Sequence, residues 1–294
     1  MATAKLLNLV GVTLGSIDGP TRVAIARFQS ARGLPSTGEC DAVTWSALVE
    51  SSWSLGARML YLTSPHLRGD DVEQLQIRLA RLGFDCGKAD GIFGPRTAAG
   101  VIEFQTNVGL TVDGICGADT VRALERIGSQ SGDGPGVVMV REAEDAHRGG
   151  ARRVTIASVA GRIGVARHVV RSLRAADLTV LLVESDDPHA QARAANSFDA
   201  DVFVGLHDVA WSVTFYRSGD HSSPTGEVIA TRLAATLSTL APVPLSPAGM
   251  RLPVLRETRM PAVVVGLGGS PRPEAALAIS SVILEWSSGP PTAS

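Results

Sequence analysis

Apolar residues recur at helical spacing in the first half of the chain. Between residues 70 and 82 they are Val72, Leu75, Leu79 and Leu82, which lie on one face of a helix. An aspartate at position 70 or 71 is expected to cap this helix, and Gly83 to end it. A second stripe follows at Thr97, Val101, Phe104 and Val108, and a third at Val121, Leu124 and Ile127. This region is therefore predicted to be a small bundle of three helices.

The same pattern occurs twice in the first half. Phe28-Gln29 aligns without gaps with Phe104-Gln105, and the match continues through the positions that follow. Gly38 falls on Gly114, Cys40 on Cys116 and Thr44 on Thr120. The second copy keeps a full turn-forming loop at residues 90–95, whereas the first is shortened to residues 16–20. We read the N-terminal segment as the first helix of the first copy, and not as a signal peptide.

The pattern changes after residue 152, where short apolar runs alternate with amphipathic segments. Alternating strands and helices predict a mainly parallel sheet with helices on both faces. A ligand site in such a sheet lies at the carboxyl ends of the strands. The predicted fold class is multidomain, α followed by α/β, with these parts: repeat 1 at 1–50, repeat 2 at 51–128, a linker at 129–151, the α/β domain at 152–287 and a disordered tail at 288–294.

Composition narrows the range of partners. The formal net charge of −2 over 294 residues argues against nucleic acid or an anionic membrane held by bulk charge. No apolar stretch is long enough to span a bilayer. The three cysteines, Cys40, Cys86 and Cys116, are expected to form neither a disulfide framework nor a zinc knuckle, which favours reduced thiols and a reducing compartment. The expected absence of an export signal points to the cytoplasm.

The first half resembles the peptidoglycan-binding domain of bacterial wall hydrolases. The resemblance rests on the D-G-x-F-G-x-x-T loop that begins at Asp90, on the Phe104-Gln105 pair and on the turn at residues 112–117. Glycines 91 and 114 permit tight turns, and the phenylalanine belongs to the core. We expect the second copy to be the one that binds, with these candidate binding residues: Asp90, Gly91, Phe93, Arg96, Thr97 and Gln105.

The second half resembles zinc-dependent N-acetylmuramoyl-L-alanine amidases. Residues 200–207 and 255–265 carry the resemblance. It implies that His207 stands at the position of a zinc ligand, and that the position of the general acid/base glutamate is Gly266.

A catalytic zinc needs three protein ligands and an open position for water. The family's first histidine maps to about Ala160, and no acidic residue lies between residues 146 and 176 to supply the glutamate ligand. One ligand in three is left, so His207 is read as a relic and no catalytic residue is assigned. An improvised site with Asp208 and His221 is kept as an alternative.

The whole arrangement resembles the actinobacterial CwlM-type proteins, mainly through residues 55–61, 69–72 and 113–117. The resemblance implies a cytoplasmic regulator of peptidoglycan precursor synthesis. It also implies UDP-GlcNAc enolpyruvyltransferase and the lipid II flippase as partners, and control by Ser/Thr phosphorylation.

Three functions follow from these observations. The leading hypothesis is a non-catalytic regulator that binds peptidoglycan or its precursors, with no cofactor. The alternatives are an active zinc amidase with relocated ligands, and an exported wall-targeting module whose second half is purely structural.

Overall fold

The computed structural model describes residues 19–128, 152–219, 221–269 and 273–288. Contacts between Cα atoms divide the chain into two units, 1–141 and 142–294, which are considered separately. The helix expected before residue 16, the linker at 129–151 and most of the expected tail lie outside the described residues.

The first unit is helical, as its sequence pattern predicts. Most of the apolar residues expected to face inward in the second copy are buried in one cluster, and the other three, Leu82, Val108 and Ile127, are partly buried against it. The first copy has a much smaller described core, in which Leu48 packs against Ala24 and Phe28. The helices are α1 (Gly19–Ala31), α2 (Ala42–Glu50), α3 (Asp70–Arg81), α4 (Pro95–Val108) and α5 (Ala118–Gly128).

The start of α3 differs from the expected cap. Gly69 occupies the N-cap position, and no side chain caps the helix there. Both aspartates are instead engaged by arginines from earlier in the chain. Asp70 Oδ2 lies 2.7 Å from Arg32 Nη2, and Asp71 Oδ2 lies 2.7 Å from Arg58 Nε. The capping prediction was wrong because long-range ion pairs compete for the same carboxylates.

Two of the three thiols are sealed inside the second copy. Cys86 and Cys116 are buried, and Cys40 is exposed. Burial raises the pKa of Cys86 and of Cys116 to about 12, because the low-dielectric interior disfavours the thiolate.

The second unit is built on a sheet that is mainly parallel. Within the described residues it has seven strands in the order β2-β1-β3-β7-β4-β5, with β6 paired to β4. Strands β2, β1, β3 and β7 run parallel, and β4 is antiparallel to β7. The strands are β1 (Arg153–Ser158), β2 (Thr179–Glu184), β3 (Val202–His207), β4 (Ser212–Ser218), β5 (His221–Ser222), β6 (Pro247–Met250) and β7 (Ala262–Gly266).

Helices cover both faces of this sheet, so the predicted α/β class is confirmed. The larger core lies between the sheet and α6, α8 and α10, and the smaller core lies under α7 and α9. The helices are α6 (Ile163–Ala175), α7 (Pro188–Phe198), α8 (Pro224–Leu237), α9 (Pro253–Glu257) and α10 (Pro273–Ser287).

The order in which the chain adds strands to the sheet switches sides between β1 and β3, although the strands stay parallel. The connection from β1 leads to β2 on one side, and the connection from β2 returns past β1 to β3 on the other. The carboxyl ends of β1 and β3 therefore mark the position at which parallel α/β sheets commonly bind ligands.

Loss of the Asp71 carboxylate is expected to destabilise the first unit. The Asp71 side chain is 0% exposed and that of Arg58 is 22% exposed, so Asp71→Ala leaves a largely buried guanidinium without its partner. We expect a loss of about 3 kcal/mol. The control is Asp119→Ala, which removes an exposed pair with Arg122 and is expected to cost less than about 0.5 kcal/mol.

Differential scanning calorimetry of the full chain measures both variants. We expect the transition temperature to fall in the Asp71→Ala protein and to stay unchanged in the Asp119→Ala protein. Equal transition temperatures in the two variants would show that the Arg58–Asp71 pair does not stabilise the first unit.

Candidate functional site

The expected binding loop of the second copy is held from inside by one buried amide. Gln76 on α3 is 1% exposed. Its Nε2 donates to Asp90 Oδ1 at 3.0 Å, to the Ile92 carbonyl at 3.1 Å and to Thr97 Oγ1 at 3.0 Å. Its Oε1 accepts from the Gly91 N–H at 2.8 Å. We call this arrangement a glutamine clasp.

A second glutamine clasp holds the loop before α5. Gln105 Nε2 donates to Asp113 Oδ1 at 2.8 Å, to the Ile115 carbonyl at 3.1 Å and to Thr120 Oγ1 at 3.2 Å. Its Oε1 accepts from the Gly114 N–H at 2.9 Å. The pKa of Asp113 is lowered because the Ile115 N–H and the Gln105 amide both donate to its carboxylate.

The first copy carries a third glutamine clasp. Gln29 Nε2 donates to Thr37 Oγ1 at 3.0 Å, to the Glu39 carbonyl at 2.9 Å and to Thr44 Oγ1 at 2.9 Å. The Gly38 N–H donates to Gln29 Oε1 at 2.8 Å. Threonine takes the place of aspartate here, and the geometry is otherwise the same.

The glycine in each clasp is required by its backbone conformation. Gly38, Gly91 and Gly114 have φ of 72°, 71° and 70°, in the left-handed region that other residues rarely adopt. This conformation turns the glycine N–H inward to the glutamine oxygen, so each loop presents its outer surface to solvent.

Most of the six candidate binding residues are buried in the structure. Phe93 is 0% exposed, and Thr97 and Gln105 are each 2% exposed, so their functional groups face the fold. Gly91 is also buried, and Asp90 is half-buried with one carboxylate oxygen used in the clasp.

Arg96 is the exposed member of the set. Its aliphatic chain lies against Gly87, where an added Cβ would be 3.2 Å from Arg96 Cδ. Its guanidinium makes no hydrogen bond or ion pair to a described residue. Arg96 therefore presents a positive charge beside the clasped loop.

Gln76 was missed by the sequence interpretation. It follows Leu75 on a helix whose polar residues otherwise read as solvent-facing. The available signal was the glutamine that precedes both of the other clasped loops.

In the second unit, His207 ends β3 and is paired in register with Gly266 on β7. Its Nε2 is buried and has no hydrogen-bond partner among the described residues. Burial lowers the pKa of His207 below its ordinary value, so the imidazole is neutral at pH 7. A Cβ at Gly205 would lie 3.5 Å from His207 Nε2, so this nitrogen lies back over the strand.

The connection after β1 offers no ligand at the expected position. Ala160 is exposed, and its N–H donates to Asp186 Oδ1 at 3.1 Å. Two residues later, the guanidinium of Arg162 is buried and pairs with Asp208, the residue after His207.

A catalytic zinc does not fit these residues. Across 19–128, 152–219, 221–269 and 273–288, no group of three or more His, Cys, Asp or Glu side chains could hold a metal ion. His207, Asp208 and His221 therefore do not form the improvised site that the sequence left open. At Gly266, the position that the resemblance assigns to the acid/base glutamate, an added Cβ would overlap the Ala210 carbonyl oxygen and Ser212 Oγ.

Comparisons with known proteins agree with the helical unit. Residues 4–48 and 68–124 match the family model described as a putative peptidoglycan binding domain. These ranges contain all three glutamines of the clasps.

Relatives include cell-wall enzymes. N-acetylmuramoyl-L-alanine amidase CwlM of Mycobacterium tuberculosis is 42% identical over 134 residues, which are 45% of this chain and 33% of CwlM. The amidase CwlL of Bacillus licheniformis is 32% identical over 133 residues, or 43% of this chain and 34% of CwlL. The chain thus spans about a third of the length of these relatives.

Two further matches are short. An uncharacterised protein of Kitasatospora aureofaciens is 36% identical over 110 residues, covering 37% of this chain and 91% of that protein. The solved SleB N-terminal domain is 36% identical and covers 26% of this chain and 99% of that one, with a TM-score of 0.24, which is too low to compare folds. No helix in the described part of the chain is both long and apolar enough to cross a bilayer.

Removal of the Gln76 amide is expected to loosen the clasped loop. Gln76→Leu leaves the Gly91 N–H and the Thr97 hydroxyl without their buried partner, at a cost of about 2–3 kcal/mol. Gln74→Leu, on the exposed side of the same helix, is the matched control and should cost less than about 0.5 kcal/mol.

Hydrogen-exchange mass spectrometry of residues 86–97 reports the loop directly. Faster exchange in the Gln76→Leu protein alone is expected. Unchanged protection in that variant would show that the amide does not hold the loop.

Proposed function

We propose that this chain, a CwlM-type protein with two matches to the peptidoglycan-binding domain, binds peptidoglycan or its precursors without hydrolysing them and regulates cell-wall synthesis. The domain matches and the amidase relatives support association with the cell wall. The observation that carries the non-catalytic part is the misfit of zinc at the end of β3, together with Gly266 at the position where the resemblance places the proton-transferring carboxylate.

The proposed binding surface is the outside of the clasped loop at residues 90–97. Peptidoglycan presents sugar hydroxyls, amides and the carboxylates of its stem peptide. An exposed guanidinium pairs with a carboxylate through charge-assisted hydrogen bonds, and Arg96 has no competing partner among the described residues. The buried candidates, Phe93, Thr97 and Gln105, would act by holding the loop in shape.

The second unit contributes no proton transfer in this proposal. A metal-activated water needs both an open ligand position and a nearby carboxylate. Gly266 has no side chain to shuttle a proton, and Asp208 is paired with Arg162. The unit is therefore proposed to have kept the amidase fold and lost its chemistry.

The regulatory role and its setting rest on the resemblance to CwlM-type proteins. The proposed location is the cytoplasm, and the proposed partners are UDP-GlcNAc enolpyruvyltransferase and the lipid II flippase. An affinity capture from native cytoplasm, with antibodies to these two proteins as the readout, tests this part. If neither of the two proteins is recovered, the regulatory role is withdrawn from the proposal.

Binding is tested by sedimentation with insoluble peptidoglycan. The wild-type chain should co-sediment, and Arg96→Glu should weaken binding about tenfold, because a charge pair worth about 1.4 kcal/mol is replaced by repulsion. Arg81→Glu makes the same charge change at another exposed position of the second copy and is the control. Equal binding by the two variants would exclude Arg96 from the binding surface.

The non-catalytic part is tested by metal analysis with an amidase assay. The purified chain, dialysed against zinc and then against buffer, should hold far less than one zinc per molecule. It should release no peptide from muramyl glycans. Activity that a chelator removes and zinc restores would overturn the proposal.

A further inference from the structure

We infer that the carboxyl ends of β1 and β3 have been rebuilt as a closed, ion-paired surface, so that restoring the lost ligands does not restore a zinc site. This inference deepens the non-catalytic part of the proposed function. It concerns the backbone and packing of the crevice, beyond the identity of the missing side chains.

The first observation is steric. A Cβ at Gly266 would overlap the Ala210 carbonyl oxygen and Ser212 Oγ and would lie 2.8 Å from Val209 Cγ2. The residues after β3 therefore fold into the volume that a side chain at 266 would need. Two of these three contacts are with backbone or a short side chain, which cannot move aside cheaply.

The connection after β1 is also crowded, although here the contact is with a side chain that is held by its pair with Arg162. A Cβ at Gly161 would lie 2.6 Å from Asp208 Oδ2. Gly164, only three residues along the chain, has open space around its Cβ position. The crowding is thus specific to the residue that faces the end of β3.

The second observation is electrostatic. The Arg162 side chain is 3% exposed and that of Asp208 is 56% exposed, so the pair places a fixed, buried cation beside the strand end. A guanidinium remains protonated under all ordinary conditions. It repels a divalent cation and already pairs with the carboxylate of Asp208, the residue after His207, which an incoming metal would otherwise recruit.

The third observation is the direction of the one relic ligand. His207 Nε2 is buried and lies 3.5 Å from the Cβ position of Gly205, whereas Ala160 is exposed. A histidine placed at 160 would begin from the solvent side while His207 Nε2 lies under the surface. We therefore expect the two nitrogens not to reach the short distances to one metal ion that zinc requires.

The experiment rebuilds the site in the full chain. The variants are Ala160→His, the double substitution Ala160→His with Gly164→Glu, which supplies a second and a third potential ligand beside His207, and Gly266→Glu. Gly164→Glu alone is the matched control for an added carboxylate. Zinc content is measured by mass spectrometry after dialysis, zinc affinity by calorimetry, and folding by circular dichroism and thermal unfolding.

We expect Ala160→His and the double variant to fold as the wild type does, because position 160 is exposed and the Cβ position of Gly164 is open. We expect neither to bind stoichiometric zinc. Gly266→Glu should lower the Tm of the second unit by at least about 4 °C or prevent its folding, while Gly164→Glu leaves it close to the wild-type value. Either outcome at position 266 supports the closed crevice, provided that the control folds.

The inference is overturned if Ala160→His or the double variant binds one zinc per chain, or if Gly266→Glu is as stable as Gly164→Glu. The wild-type chain separates this failure from failure of the proposed function. Stoichiometric zinc in the wild type refutes the non-catalytic proposal itself. Stoichiometric zinc in a substituted variant but not in the wild type refutes only the inference that the carboxyl ends of β1 and β3 are closed to metal.

Discussion

The helical unit depends on a buried primary amide that makes hydrogen bonds in four directions. Gln29, Gln76 and Gln105 each satisfy three groups of a turning loop and a threonine in the first turn of the next helix. A buried amide is costly unless all of its hydrogen bonds are made, and a fully satisfied one fixes its surroundings uniquely. One glutamine thus sets the shape of a loop that has little apolar side chain of its own.

This constraint explains which structural features could be predicted from the sequence. The helices and their apolar stripes follow from spacing alone, and Phe93 and Gly91 from the chemistry of the turn. The role of Gln76 does not, because its partners lie 14 to 21 residues away along the chain. The same limit applies to Asp70 and Asp71, whose arginine partners lie 38 and 13 residues away.

In the α/β unit, the alternation of strands and helices was enough to predict a mainly parallel sheet. The short elements β6 and α9 were missed, because each has five residues or fewer and begins at a proline, which reads as a break. The absence of a carboxylate at position 266 is visible in the sequence. The collision of that position with Ala210 and Ser212 is a property of the folded backbone, and so is the burial of Arg162.

The sealed thiols have a consequence for where such a module can operate. Cys86 and Cys116 lie in the core of the second copy, and burial holds the pKa of each at about 12. Disulfide exchange and oxidation proceed through the thiolate, so both residues are chemically silent while the fold persists. The second copy neither gains a crosslink in an oxidising milieu nor loses one in a reducing milieu. Its architecture is therefore indifferent to redox potential, and the two buried cysteines do not support the inference of a reducing compartment that the cysteine count alone favoured.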